Sequence, residues 1–460
     1  MVLSDCYSWA NDTFGLAQLG DYRRTLRLVH LTASLAKKTG LSIVKSSQTT
    51  AEVEGAYRLI RNPNVSPDAI AEAGFNATAK AAQTHTLLLA LEDTTSINFA
   101  HTTAYDELGN TTTSKNTHGL LAHSVLLYAP DTAQFLGLID QYRWTREANE
   151  YGKKHQRKQV PYEEKESYKW QQASERTAQR LGEAQPQVIS VCDREADIWH
   201  YLDYKTKNQQ RFVVRAAQNR LLSEQSKRLL ELPETLVEAG SYVLNVVQKG
   251  GRAARDARMS IRYSPVELKM PGSTSEENTV PLTYICCREE EAEDGACWHL
   301  LTSEKVTSGE EARVIISYYE RRWLIEEYHK AWKSGGTQVE QLRMQTRDNL
   351  ERMIVILSFI AVRVLALRQG GLSEETLNES CERVLSPLEW KLLWVKQERK
   401  PLPKKPPSLK WAYLNLAKLG RWYDSKRTGR AGWIVMWEAW FKLQDIVEGY
   451  KLAKSLDQEI

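Results

Sequence analysis

Three acidic residues, Asp93, Asp193 and Glu326, stand where the chain could bring them together around a divalent cation. Glu326 lies in Tyr319-Glu-Arg-Arg-Trp-Leu-Ile-Glu-Glu-Tyr-His-Lys-Ala-Trp-Lys333. Read as one helix at about 100° per residue, this segment puts Tyr319, Arg322, Glu326, Lys330 and Lys333 within an arc of roughly 80°. Leu324, Ile325, Tyr328, Ala331 and Trp332 fall on the other side and give the helix a face to bury. One carboxylate among three cations and a phenol suits a helix that grips phosphate while Glu326 holds a metal ion. The plainer reading is a pair of i,i+4 contacts, Arg322/Glu326 and Glu326/Lys330, worth roughly a few tenths of a kcal/mol each.

The other two acids each follow an apolar run. Thr86 to Leu91 reads as a buried strand and is followed by Glu92-Asp-Thr-Thr95, while Gln187 to Cys192 is followed by Asp193-Arg-Glu-Ala-Asp197. Acids at the carboxyl ends of adjacent strands converge at one sheet edge, where ligands of α/β proteins bind. Taken singly, each Asp could be a turn or helix-capping residue, and Glu195 and Asp197 fit that role before Ile198-Trp-His-Tyr-Leu202. Three carboxylates in one place repel unless a cation joins them, and hard oxygen ligands select Mg²⁺ or Mn²⁺. Two ions bridged by a shared Asp are a known device for phosphodiester chemistry.

Bulk properties agree without selecting a function. At 460 residues with 42% hydrophobic residues, the chain can form two or three domains with real cores. Its mean hydropathy of −0.50 and lack of a long apolar run exclude a membrane span. The first residues lack a basic and apolar leader pattern, which predicts a cytoplasmic protein. Six cysteines without zinc-type spacing read as reduced thiols, with Cys286 and Cys287 alternating across a strand. The net charge is +4, yet Asp21 to Arg61 holds eight Lys/Arg against three acids, and Lys396 to Arg430 holds eleven against two. Positive charge gathered this way is the footprint of a polyanion.

Several longer motifs make the chain resemble the bacterial cut-and-paste DDE transposases of the IS-four family. They are Arg58-Leu-Ile-Arg-Asn-Pro-Asn-Val-Ser66, Glu92-Asp-Thr-Thr95, Val191-Cys-Asp-Arg-Glu-Ala-Asp197, the Tyr319/Arg322/Glu326/Lys333 pattern, Asn349-Leu-Glu-Arg-Met353 and Asp424-Ser-Lys-Arg-Thr-Gly429. The resemblance spans nearly the whole chain. It implies a ribonuclease-H-like α/β core with a β insertion, flanked by helical N- and C-terminal domains. It implies Asp93, Asp193 and Glu326 as the catalytic, metal-binding triad for two Mg²⁺ ions, with Mn²⁺ substituting. It further implies DNA contacts at Arg215, Trp298, Tyr319, Arg322, Lys330 and Lys333, with Trp298 stacking on a flipped base. The implied activity is hydrolysis of transposon ends through a hairpin, then joining of the 3′ ends to target DNA, by a bacterial homodimer acting on double-stranded DNA. Two other roles share these features: a binding protein that inhibits by dimerising, and a general ribonuclease-H-like nuclease.

The elements that must position these residues divide the chain in three. Residues 1–70 read as a helical DNA-end-binding unit. Arg23, Arg24 and Arg27 ride a first helix closed near Gly40, Arg58 rides a second, and Arg61 follows it. Ser66 and Pro67 then start a connecting helix. Residues 71–370 form the catalytic domain, with strands at 86–92, 122–129, 133–141, 187–192 and 211–216 and helices at 166–181 and 195–207. A β insertion over about 218–307 precedes the Glu326 helix. The charged stretch 147–166 reads as a loop that either tracks DNA backbone or is simply solvated. Residues 371–460 form the helical dimerisation domain. Its Lys/Pro segment 400–407 is extended, and its aromatic-rich end reads as an interface or as a compact core.

Overall fold

Ser66 and Pro67 start the helix that joins the first unit to the rest: the Ser66 hydroxyl accepts from the Asp68 and Ala69 amides at 3.2 and 3.4 Å, and Pro67 takes the first helical position, where its missing N–H costs nothing. The computed structural model describes residues 5–99, 104–112, 117–146, 160–223, 228–246, 254–271, 278–290, 295–370, 376–423, 425 and 431–459. The charged segment 147–159, and Asp424 with 426–430 of the terminal motif, lie outside them.

The first unit comprises α1 (Cys6–Phe14), α2 (Tyr22–Lys37), α3 (Ile43–Ser46), α4 (Thr50–Ile60) and the connecting α5 (Pro67–Ala82). The cap of α2 is Lys38; Gly40, two residues on, takes φ +81°. Strands β1 (Leu88–Asn98), β2 (Gly109–Asn110), β3 (His118–Ala129) and β4 (Gln134–Trp144) follow, then α6 (Lys169–Leu181), β5 (Val188–Cys192), α7 (Trp199–Lys207) and β6 (Arg211–Arg215). Strands β7 (Gly240–Val246), β8 (Arg255–Lys269), β9 (Thr279–Glu289) and β10 (Cys297–Thr302) occupy the expected insertion. They are no separate module. One mixed sheet runs β2-β3-β1-β5-β6-β10-β9-β8-β7, with β4 also on β3, because β10 pairs directly with β6.

Beyond the sheet come α8 (Gly309–Glu320), α9 (Trp323–Lys330), a π-helical turn at Ala331–Gly335 and α10 (Arg347–Gly370). The unbroken helix expected over 319–333 is therefore interrupted. The amides of Arg322, Leu324 and Ile325 bond three residues back, to Tyr319, Arg321 and Arg322. Such tightened turns shift the phase of the helix that follows.

The sheet has two buried faces. Odd positions of β1, such as Leu89, Leu91 and Ile97, join a large core with α1, α2, α4, α5, α8, α9 and α10. Even positions Leu88 and Ala90 face the side covered by α6. Arg352 on α10 donates to the carbonyls of Ile60 and Val65, which gives the buried cation of the Asn349–Met353 motif a tethering job. The C-terminal helices α11 (Pro387–Glu398), α12 (Leu409–Leu419) and α13 (Trp433–Glu459) close their own core around Trp390, Tyr413, Leu416 and Trp440. The compact-core reading of those aromatics holds for these residues. No helix among the described residues is long and apolar enough to cross a membrane.

Candidate active site

Strands β1 and β5 run parallel, with Leu88 to Leu91 opposite Val188 to Val191. Continuing that register places position 93 beside position 193 on the same face of the sheet. Asp193 follows β5 as expected, and its carboxylate accepts from the Glu195 amide at 2.8 Å, so it also caps the short turn Arg194–Ala196. Asp93 departs from expectation: it sits inside β1, paired with Ser124 of β3, because antiparallel pairing continues to Asn98 after the apolar run ends. Helix α9 packs over β1 on this face and carries Glu326.

Asp93 lies within electrostatic reach of both other acids. The Asp93 carboxyl is pushed up to about 7, first by burial, then by the charge of Asp193, with Glu326 adding and the Thr94 amide and Arg322 opposing. Burial beside other carboxylates produces such a shift, and the hard oxygen donors of the set fit a divalent cation such as Mg²⁺. Among the described residues, the only three His, Cys, Asp or Glu side chains with ligand atoms all within 4.8 Å of one another are Cys286, Cys297 and His299. The acids are more widely spaced. Arg322 holds Glu326 at 2.6 Å in the i,i+4 pair foreseen.

His329, also on α9, is a residue the sequence did not single out. Its Nδ1 lies 3.8 Å from Asp93. Burial first, then Lys333, His123 and Arg322, push it down to about 3. It therefore meets Asp93 as a neutral ring, although the geometry alone would read as an ion pair. On the opposite face Glu92 lies 3.7 Å from His123, with both side chains buried. Asp197 is more than a helix-start acid: it accepts from the Ala217 and Gln218 amides at 2.7 Å each and pairs with buried Arg220 at 2.6 Å.

The cations expected beside Glu326 separate. Lys330 turns to Glu327 at 2.7 Å, which also binds Arg368, and Lys333 turns to Glu340 at 3.4 Å. The expected Glu326/Lys330 pair is replaced because Glu326 is taken by Arg322 and Lys330 by Glu327. Tyr319 is buried and faces Trp298, with ring centroids 5.8 Å apart, while the Arg322 guanidinium lies 5.9 Å from the Tyr319 ring. Trp298 is half-buried within β10, opposite Cys287. Arg215 ends β6 as expected and donates to the Cys297 carbonyl at 3.1 Å.

In the N-terminal unit Arg23, Arg27, Arg58 and Arg61 are exposed and Arg24 is partly covered. Arg23 pairs with Asp21 and Arg58 with Glu54, each at 3.1 Å; Arg24 donates to the Leu19 carbonyl at 2.8 Å; Arg61 lies over the Tyr57 ring. Exposed pairs like these exchange readily for other anions. Arg27 crosses from α2 over Gly55 of α4, where a Cβ would meet its Nη1 at 1.4 Å, so only glycine lets the guanidinium lie there.

Residues 7–65 match the family described as "Transposase DNA-binding". The solved structures resembling the chain include the cryo-EM structure of a piggyBac transposase synaptic complex with hairpin DNA. The identity is 11%, with 79% of this chain and 71% of that chain covered, at a TM-score of 0.38.

Proposed function

We propose that this chain is a DDE-type DNA transposase. Its α2–α4 unit binds transposon-end duplex, and Asp93, Asp193 and Glu326 cut and join that DNA with two Mg²⁺ ions. What supports the reading is that Asp93 on β1 feels the charges of Asp193, just after β5, and of Glu326 on α9, in a chain whose residues 7–65 match a transposase DNA-binding family. Relatedness to the bacterial IS-four family is part of the same proposal. So is a ribonuclease-H-like core, which the order β4-β3-β1-β5-β6 supports, with three antiparallel strands followed by two parallel ones.

Asp93 feels the charges of both other acids, and Asp93, Asp193 and Glu326 would hold the ions. Bound Mg²⁺ supplies Lewis acidity toward a phosphodiester and favours deprotonation of water or a 3′-hydroxyl. The remaining work falls to the chain. Arg322 releases Glu326 and turns to a phosphate, and its planar fork suits that exchange. Lys330 and Lys333 reach the backbone by leaving Glu327 and Glu340. Half-buried Trp298, backed by Tyr319, offers a ring for a flipped base, and such stacking contributes about 1–3 kcal/mol. Successive attacks by water and by the freed 3′-hydroxyl would nick the end, form and open a hairpin, and join the 3′ ends to target DNA. A homodimer would hold two ends.

The test is a gel assay on duplex carrying the inverted repeats that flank the coding sequence. The purified chain should nick that duplex with Mg²⁺ and spare unrelated duplex. Equal cutting of unrelated DNA, or of RNA hybrids, would make it a general nuclease instead.

A further inference from the structure

We propose that Cys286, Cys297 and His299 form a second metal site, a zinc-type Cys₂His centre stapling β9 to β10. The antiparallel register puts His299 directly opposite Cys286, and Cys297, two residues before His299, points to the same face. Three ligand atoms, two sulfurs and an imidazole nitrogen, thus lie within 4.8 Å of one another, and Cys297 Sγ is 3.3 Å from His299 Nε2. In a tetrahedral zinc site the ligand bond lengths imply S···S and S···N separations of about 3.8 and 3.5 Å, so closure needs only small side-chain adjustments. Soft sulfur ligands select zinc over the hard cation suited to the carboxylates.

The imidazole is already oriented for the task. Its Nδ1 meets the Tyr284 hydroxyl at 2.6 Å, and the two rings stack with centroids 6.0 Å apart. With Nε2 serving as ligand, the ring proton sits on Nδ1 and donates to Tyr284, the outer-shell bond that metal-binding histidines usually have. Cys286 is buried, whereas Cys297 and His299 are half-exposed, so an ion can enter and a water or external donor can fill the fourth position. A disulfide is the poorer alternative. Cys286 and Cys297 are diagonal across the ladder, about 7–8 Å apart at Cα, beyond the roughly 4.4–6.8 Å a disulfide spans. Trp298 lies on the opposite face of the same strand, so the staple would hold the strand that presents its ring.

Cobalt substitution of the full, reduced chain tests this independently of DNA cleavage. Co²⁺ should bind with a thiolate-to-cobalt charge-transfer band and the visible bands of a tetrahedral ion, at one equivalent per chain. Equimolar Zn²⁺ should bleach them. Cys297→Ser and His299→Gln should each weaken binding at least tenfold, and Asp93→Asn should leave the band unchanged. No charge-transfer band in the wild type, or a band unaffected by both variants, would overturn the proposal. So would four rather than six titratable thiols in the unreduced, unfolded protein.

Discussion

The acids and the thiol–imidazole set occupy opposite faces of one sheet and differ in how complete they are. Asp93 shares its face with Leu89 and Leu91, while Cys286 shares the other with Tyr284 and Leu301. The carboxylates stand farther apart, and Asp93 is pushed up to about 7, first by burial and then by the charge of Asp193. The soft ligands already lie within 4.8 Å of one another. A site built from like charges needs its cation to close, whereas a site built from thiols and imidazole can be preformed by backbone register alone. The first arrangement suits ions that arrive with substrate, and the second suits a resident staple.

Breaking the acid side should have the largest effect. Asp93→Asn, Asp193→Asn or Glu326→Gln should lower end cleavage by about 10³-fold or more, with end binding in a gel-shift assay within about threefold of wild type. Normal nicking by any of these variants would remove that residue from the chemistry.

The next effect sharpens the contrast in charge. Asp93 titrates near 4 when unfolded and near 7 when folded, so the metal-free fold is favoured at low pH and loses that stability as pH rises from about 4 to 7. Asp93→Asn should remove this slope and stabilise the metal-free protein at pH 8 by about 2–4 kcal/mol in denaturant unfolding, since the side chain is only 20% exposed. Mg²⁺ should raise the wild-type midpoint at pH 8 but not that of the variant. A flat wild-type profile would show that Asp93 is not under this strain.

Smaller effects separate both sites from the N-terminal unit. Arg27→Ala or Arg58→Ala should weaken end binding about tenfold and lower the salt slope by about 1 each, measured by fluorescence anisotropy. Trp298→Leu should leave the first nick within about threefold of wild type while reducing hairpin product about tenfold, a loss of stacking rather than of catalysis. An unchanged hairpin yield would assign Trp298 to packing on Tyr319 alone.

What could be read beforehand followed from local signals. Apolar runs announced β1 and β5, and Ser66-Pro67 announced α5. The rest depended on pairing. Asp93 lies within a strand because β3 keeps hydrogen bonding past the last apolar residue. The helical arc around Glu326 broke because three amides bond three residues back rather than four, which local propensity does not reveal. Cys286 and His299 are thirteen positions apart, and it is the β9–β10 register that makes them opposite neighbours. In the sequence His329 is one more polar residue on a charged helix, and only the packing of α9 over β1 brings it to Asp93.

Counting Mn²⁺ by electron paramagnetic resonance in the end-bound complex tests the acid triad most directly. The wild type with transposon-end duplex should bind two Mn²⁺ per chain, with exchange coupling between them, and Asp93→Asn should lose that coupled signal while still holding DNA. A wild-type complex that takes up no Mn²⁺ beyond free duplex, or an Asp93→Asn complex with the same coupled pair, would contradict the account.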